Sequence, residues 1–289
     1  MRVLCILLCL IVCREVLAQP QLRQYSAAIE QSRWQLTRNT PLECKLEHEI
    51  PQFGKAVFSS VASKTLNLDF ELNMLRLPDT YSLAEVLSIP PSWRPGEPSK
   101  RIAGMNLLKQ YNGALPKKAA WTLLTELEQG FSPAFYFDDW YSSYDKVAAM
   151  LNPVQFPAMY QQFNHCISQL MPYSFDDIAF TVLNYESGGD ELTKESRQRL
   201  IQIAEYLKYD PDIEYVEIQG YTDSYGGRWM NEQLSVRRAE KVKSFFVTAG
   251  LAAERIQVDG FGERRHVAAN DTAQERARNR RVVLQMVKP

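Results

Sequence analysis

The feature that most constrains this chain is a change of hydrophobic rhythm near residue 171. Before it, apolar residues recur at every second position. Leu66, Leu68, Phe70, Leu72 and Met74 alternate with Thr65, Asn67, Asp69, Glu71 and Asn73. Successive side chains of a strand point to opposite faces, so this segment predicts a strand with one face buried and one in water. Leu42, Cys44 and Leu46 alternate with Glu43, Lys45 and Glu47 in the same way, which puts Cys44 on the apolar side. Ile89 to Pro98 holds four prolines and a glycine and predicts an irregular loop. Aromatic residues crowd between Phe131 and Tyr144, where core and partner-facing roles both stay open.

After Pro172 short apolar runs alternate with helical stripes. Ile178–Leu183 is the first run. A helix follows with Leu200, Ile203, Ala204 and Leu207 on one face, stopped at Asp210-Pro211. Val216–Ile218 is the next strand. A second helix is expected to open at Asn231 as its N-cap, to carry Ala239, Val242 and Phe246 on one stripe, and to end at Gly250. Ile256–Val258 is a third strand, Thr272 to Glu275 spells a capping box, and Val282–Val287 is the last strand. Crossovers of this length predict parallel neighbours with helices on one face. The fold class expected is α+β with two domains: a mostly antiparallel β domain over 19–170 and an α/β sandwich, βαβαβαβ, over 171–289.

Residues 1–18 read as an export signal. Arg2 supplies a positive start, Val3–Cys13 is apolar but too short to span a bilayer, and Val16-Leu17-Ala18 offers a cleavage site. Cys5, Cys9 and Cys13 fall in that segment, leaving Cys44 and Cys166. In an oxidising compartment these two allow one intramolecular disulfide; the alternative is a pair of small buried thiols. The 289 residues carry 33 Lys+Arg against 34 Asp+Glu, so no global basic field points to nucleic acid. His48, His165 and His266 are spaced unlike any metal-ligand pair, and no GxSxG, P-loop or GxGxxG occurs. No metal, cofactor or catalytic centre is expected. Glu43, Glu47 and Glu49 read as the wet side of a strand, which leaves a wall hydrolase the least supported class.

Charge is divided unevenly in the second half. Residues 172–225 hold four Lys/Arg and twelve Asp/Glu, a balance of −8; residues 226–289 hold thirteen and seven, a balance of +6. Within this half, Gly220-Tyr221-Thr222-Asp223, Asn231, Leu234-Ser235-Val236-Arg237-Arg238-Ala239, Gly260-Phe261-Gly262 and Asn279-Arg280-Arg281-Val282 stand in register. Together they resemble the OmpA C-terminal family over roughly Phe175 to Met286, with Tyr221 where many members have His. The resemblance implies non-covalent peptidoglycan binding through the diaminopimelate of the stem peptide. By it, Asp223 accepts the ammonium, Arg238 takes the carboxylate in a bidentate grip, and Asn231 and Thr222 complete the pocket. A zwitterionic centre needs one fixed anion and one fixed planar cation, which these residue types supply. Arg276, Arg280 and Arg281 are assigned to structural ion pairs, with one of them allowed to line the pocket. Replacing Asp223 or Arg238 is expected to spare folding.

The first half resembles the MotY family of sodium-driven polar flagellar motors. The resemblance rests on the start at Trp34-Gln35-Leu36, the Cys44 to Cys166 spacing and the Phe70-Glu71-Leu72 region. It implies a periplasmic, non-enzymatic component of the motor's T ring. Its partners would be peptidoglycan, the flagellar basal body, MotX and PomA/PomB-type stator units. A wall tether of another envelope complex is the alternative.

Overall fold

A computed structural model of the chain describes residues 21–142, 144–186 and 189–288; the expected export signal, 1–18, lies outside them. Among the described residues no helix is long and apolar enough to cross a membrane. The first half contributes strands β1 (Leu22–Ser26), β2 (Trp34–Asn39), β3 (Glu43–Ile50), β4 (Gly54–Val61) and β5 (Asp69–Met74). Then come β6 (Ser82–Ile89), β7 (Lys100–Leu107), β8 (Gly113–Leu115), helix α1 (Lys117–Glu128), β9 (Ser132–Asp138), β10 (Lys146–Met150) and helix α2 (Phe156–Ser168). The second half contributes α3 (Phe175–Ile178), β11 (Phe180–Asn184), α4 (Lys194–Leu207) and β12 (Tyr215–Gly220). It ends with α5 (Arg228–Thr248), β13 (Ile256–Gly260), α6 (Ala273–Asn279) and β14 (Arg281–Val287).

Two compact units interleave along this order. One gathers the described residues up to Arg33 with His48–Ala56 and Glu71–Phe156. The other gathers Trp34–Glu47, Val57–Phe70 and the described residues from Pro157 onward. The first holds a five-stranded sheet in the order β1-β10-β9-β6-β7, antiparallel except for the β1–β10 edge pair. Helix α1 buries Ala119, Ala120, Leu123, Leu124 and Leu127, the spacing of one apolar helical face. The aromatic stretch divides here: Phe131, Phe135 and Phe137 are buried, whereas Tyr141 and Tyr144 are exposed. His48 is fully buried, its Nδ1 3.0 Å from the Arg33 carbonyl while Asn152 N–H donates to Nε2 at 3.2 Å. An acceptor role for Nε2 leaves Nδ1 as the protonated nitrogen, so the ring is neutral. Burial pulls its pKa down to about 4.

A further sheet has the order β2-β3-β4-β5-β8. Leu68, Phe70, Leu72 and Met74 are buried as the alternation requires. Leu66 departs from it, standing exposed outside β5. The cause is Asn67, whose amide donates to the Val61 carbonyl and accepts from the Val61 N–H, both at 2.8 Å, turning the chain before the strand begins. Cys44 on β3 and Cys166 form a disulfide with both residues buried. Cys166 lies in the last turn of α2, which runs to Ser168.

The sheet of the second half has the order β11-β14-β12-β13. Only β12 and β13 are parallel neighbours; β14 runs antiparallel between β11 and β12. The expected run of parallel neighbours is therefore corrected, because the last strand inserts at the centre instead of extending the edge. Ile178 lies in the short α3, not in the first strand. A core of Ile178, Ile203, Ile218, Phe246, Val282 and Leu284 fills the space between the sheet and helices α4 and α5. Leu42 and Ala62 belong to the same cluster, and backbone bonds Met171 N–H to Pro41 O (2.8 Å) and Ser63 N–H to Met171 O (3.2 Å) accompany them.

Candidate functional site

Four sequence motifs that lie far apart along the chain meet around Ser235. Strand β12 ends at Gly220, where a Cβ would sit 2.1 Å from the Ser235 carbonyl; β13 ends at Gly260, where one would sit 2.4 Å from Val236 Cγ2. Only glycine lets α5 approach both strand ends so closely. Ser235 Oγ accepts from Gly262 N–H at 2.9 Å and donates to the Glu232 carbonyl at 2.7 Å. Thr222 N–H donates to Gly262 O at 2.8 Å, tying the two loops together. Asn279 holds the remaining motif: its amide bonds Val267 N–H, Ala268 N–H and Ala268 O, and reaches Asn270, which accepts from Ser224 N–H at 3.1 Å.

Helix α5 opens earlier than expected. Gly227, not Asn231, is its N-cap, and Asn231 is buried inside the first turns with its own N–H bonded to Gly227 O at 3.0 Å. Gly226 at φ +105° makes the turn that starts the helix four residues early. The Asn231 amide instead donates to Glu263 Oε2 at 3.0 Å and to the Asp223 carbonyl at 3.4 Å. The buried face of α5 runs Asn231, Ser235, Arg238, Ala239, Val242, Phe246. Its polar end builds the site and its apolar end builds the core.

A crevice of about 500 Å³ opens here, lined by Thr222, Asp223, Asn231 and Arg238 together with Tyr225, Arg237, Arg276 and Arg280. The four residues expected from sequence thus line one crevice. Their partners differ from expectation. Asp223 pairs with Arg280 at 2.9 Å, both side chains nearly buried, while its other oxygen accepts from Tyr225 N–H at 3.1 Å. Arg238 is 1 % exposed; its terminal nitrogens donate to the Tyr221 carbonyl at 3.3 Å and to the Gly189 carbonyl, under the Tyr185 ring at 4.7 Å. Burial lowers the Arg238 pKa, and the Arg280 charge lowers it further against the opposing pull of Tyr185, Asp223 and Asp190. A bidentate grip by both terminal nitrogens is not free in this arrangement. The Arg238 Nε and Arg280 Nε hydrogens and the Thr222 hydroxyl are buried without a hydrogen bond among the described residues.

Arg276 lines the crevice and also donates to the Asn270 and Asp271 carbonyls at 2.9 and 3.1 Å. Arg281 lies elsewhere, 3.9 Å over the Tyr221 ring and bonded to the Arg265 carbonyl at 3.0 Å. It makes no ion pair with an acid among the described residues, whereas Arg280 does, and both Arg276 and Arg280 line the crevice. The Asp223–Arg280 pair was not legible beforehand: the residues are 57 positions apart, and the arginine run at 280–281 fits a salt bridge to any acid.

The strand ends, glycine notch and arginine-walled crevice define an OmpA-type domain, and residues 184–280 match the OmpA family. Residues 25–172 match the MotY N-terminal domain. The chain belongs to the MotY family: it is 46 % identical over 264 residues to the sodium-type flagellar protein MotY of Vibrio parahaemolyticus, covering 91 % of this chain and 90 % of that one. It is 37 % identical over 98 residues to the peptidoglycan-binding protein ArfA of Mycobacterium tuberculosis, 34 % of this chain and 30 % of that one. Among solved structures, the peptidoglycan-associated lipoprotein from Burkholderia pseudomallei aligns with a TM-score of 0.34 at 26 % identity, over 37 % of this chain and 89 % of that one.

Proposed function

We propose that the protein is a non-enzymatic wall anchor of the flagellar motor whose 171–289 domain holds peptidoglycan in the crevice beside α5. The observation that carries this reading is that three residues lining the crevice hold buried donors without a hydrogen bond among the described residues: Thr222 Oγ1, Arg238 Nε and Arg280 Nε. An unpartnered buried donor costs about 1–3 kcal/mol, so three together favour a ligand that supplies acceptors. A diaminopimelate centre does so: its carboxylate faces the Arg238 and Arg280 Nε hydrogens and its ammonium faces Asp223. Asn231 fixes the Asp223 loop, and Arg280 holds the Asp223 carboxylate in place.

The 19–170 domain is assigned to docking on the basal body and MotX within the T ring, beside PomA/PomB-type stator units, after export to the periplasm and removal of residues 1–18. Family membership supports this assignment. Reaction torque on the stators would pass through the chain into the wall. Pelleting with purified sacculi tests the anchor: Asp223→Asn should weaken binding by about 2 kcal/mol, roughly thirtyfold, since it leaves the ammonium without a counter-charge. Unchanged pelleting would contradict it. Deleting the gene should abolish or slow swimming and remove the ring; normal motility would end the flagellar part.

A further inference from the structure

The crevice carries more positive charge than one zwitterion can answer. Arg237, Arg238, Arg276 and Arg280 line it against a single carboxylate, Asp223. Three of the four are already engaged: Arg238 with two carbonyls, Arg276 with two carbonyls, Arg280 with Asp223. Arg237 is different. It is exposed at the crevice and makes no hydrogen bond or ion pair among the described residues. Asp190 feels its charge, but that carboxylate is held by Lys241 at 2.6 Å. Its placement follows from helix geometry. Met230, Asn231, Leu234, Arg237 and Arg238 line the crevice from α5, the i, i+1, i+4, i+7, i+8 spacing of one helical face. Arg238 is buried within that stripe, whereas Arg237 is exposed.

We propose that Arg237 is a specificity-determining residue that receives a second ligand carboxylate, one residue away from the diaminopimelate: the α-carboxylate of the stem peptide's D-glutamate. The site then selects stem peptides with that carboxylate free over those in which it is amidated. This rests on the peptidoglycan reading above. A planar guanidinium that no described residue holds is suited to a carboxylate that arrives with the ligand, and a solvent-facing pair of this kind tunes selectivity more than total affinity.

The test is calorimetric titration of the full chain with two N-acetylated stem tripeptides that differ only in amidation of the D-glutamate α-carboxylate. The wild-type protein should bind the free-acid peptide about fivefold more tightly. Arg237→Gln should bring that ratio to about one, and Arg237→Lys should keep part of it. Equal binding of the two peptides by the wild type, or an undiminished ratio in Arg237→Gln, would overturn the inference while leaving the peptidoglycan site standing. Failure of the wild type to bind either peptide would overturn the peptidoglycan reading itself. Arg237 is exposed, so loss of folding does not complicate the variants; thermal melts of each confirm this.

Discussion

Arg238 shows how far a residue's burial changes what its substitution reports. From sequence it is one of two charges expected to be removable without harm to the fold. In the structure it is among the largest fully buried side chains, holding the carbonyls of Tyr221 and Gly189. Arg238→Ala should therefore lower unfolding stability by about 2–4 kcal/mol through a cavity and two stranded carbonyls. Urea titration checks this, and an unchanged midpoint would contradict it. Asp223→Asn keeps an acceptor for Tyr225 N–H but removes the counter-charge of Arg280, so its melting point is to be measured beside its pelleting. His48 gives a second residue-scale prediction. Its pKa near 4 lies below the unfolded value of 6.5, so the unfolded chain binds the extra proton first as pH falls. Stability should be full above about pH 6.5 and decline by about 3 kcal/mol as pH falls to 4. His48→Gln should flatten that decline in denaturation series at pH 7.5, 5.5 and 4.5; an unaltered slope would assign the loss to other groups.

At the scale of elements, α5 explains what sequence could and could not reveal. Its apolar end was legible because Ala239, Val242 and Phe246 keep helical spacing, and Gly250, at φ +105°, follows the helix end as anticipated. Its first three turns were not, since the buried face there is Asn231, Ser235 and Arg238, and hydropathy takes such residues for a wet surface. The Thr272–Glu275 capping box was likewise readable and is present on both sides. The position of β14 was not, because strand order is set by long-range pairing, here with β11 and β12, and no local pattern encodes that. The glycine notch yields an element-scale prediction. Gly220→Ala places a methyl 2.1 Å from the Ser235 carbonyl, backbone that cannot rotate away, so α5 must shift. A loss of about 1–3 kcal/mol in stability is expected, together with weakened wall binding. A variant with wild-type melting and pelleting would show that the helix does not need this contact.

For the whole molecule, the compact units cross the boundary that the change of rhythm suggests at 171. Leu42 and Ala62 pack with Ile178 and Tyr173, and Lys64 pairs with Asp177, whose carboxyl that contact helps hold down to about 2. A fragment starting at residue 171 should accordingly melt several degrees below the same domain in the full chain; identical melting would show these contacts to be incidental. Reducing Cys44–Cys166, which closes 122 residues, should cost about 4–5 kcal/mol if chain entropy dominates. The central claim is that the α5 crevice is where the wall peptide sits. A crystal of the full chain soaked with a diaminopimelate stem peptide tests it most directly. The account predicts the ligand's ammonium on Asp223 and its carboxylate on the Nε hydrogens of Arg238 and Arg280. An empty crevice, with the peptide bound at another surface, would contradict it.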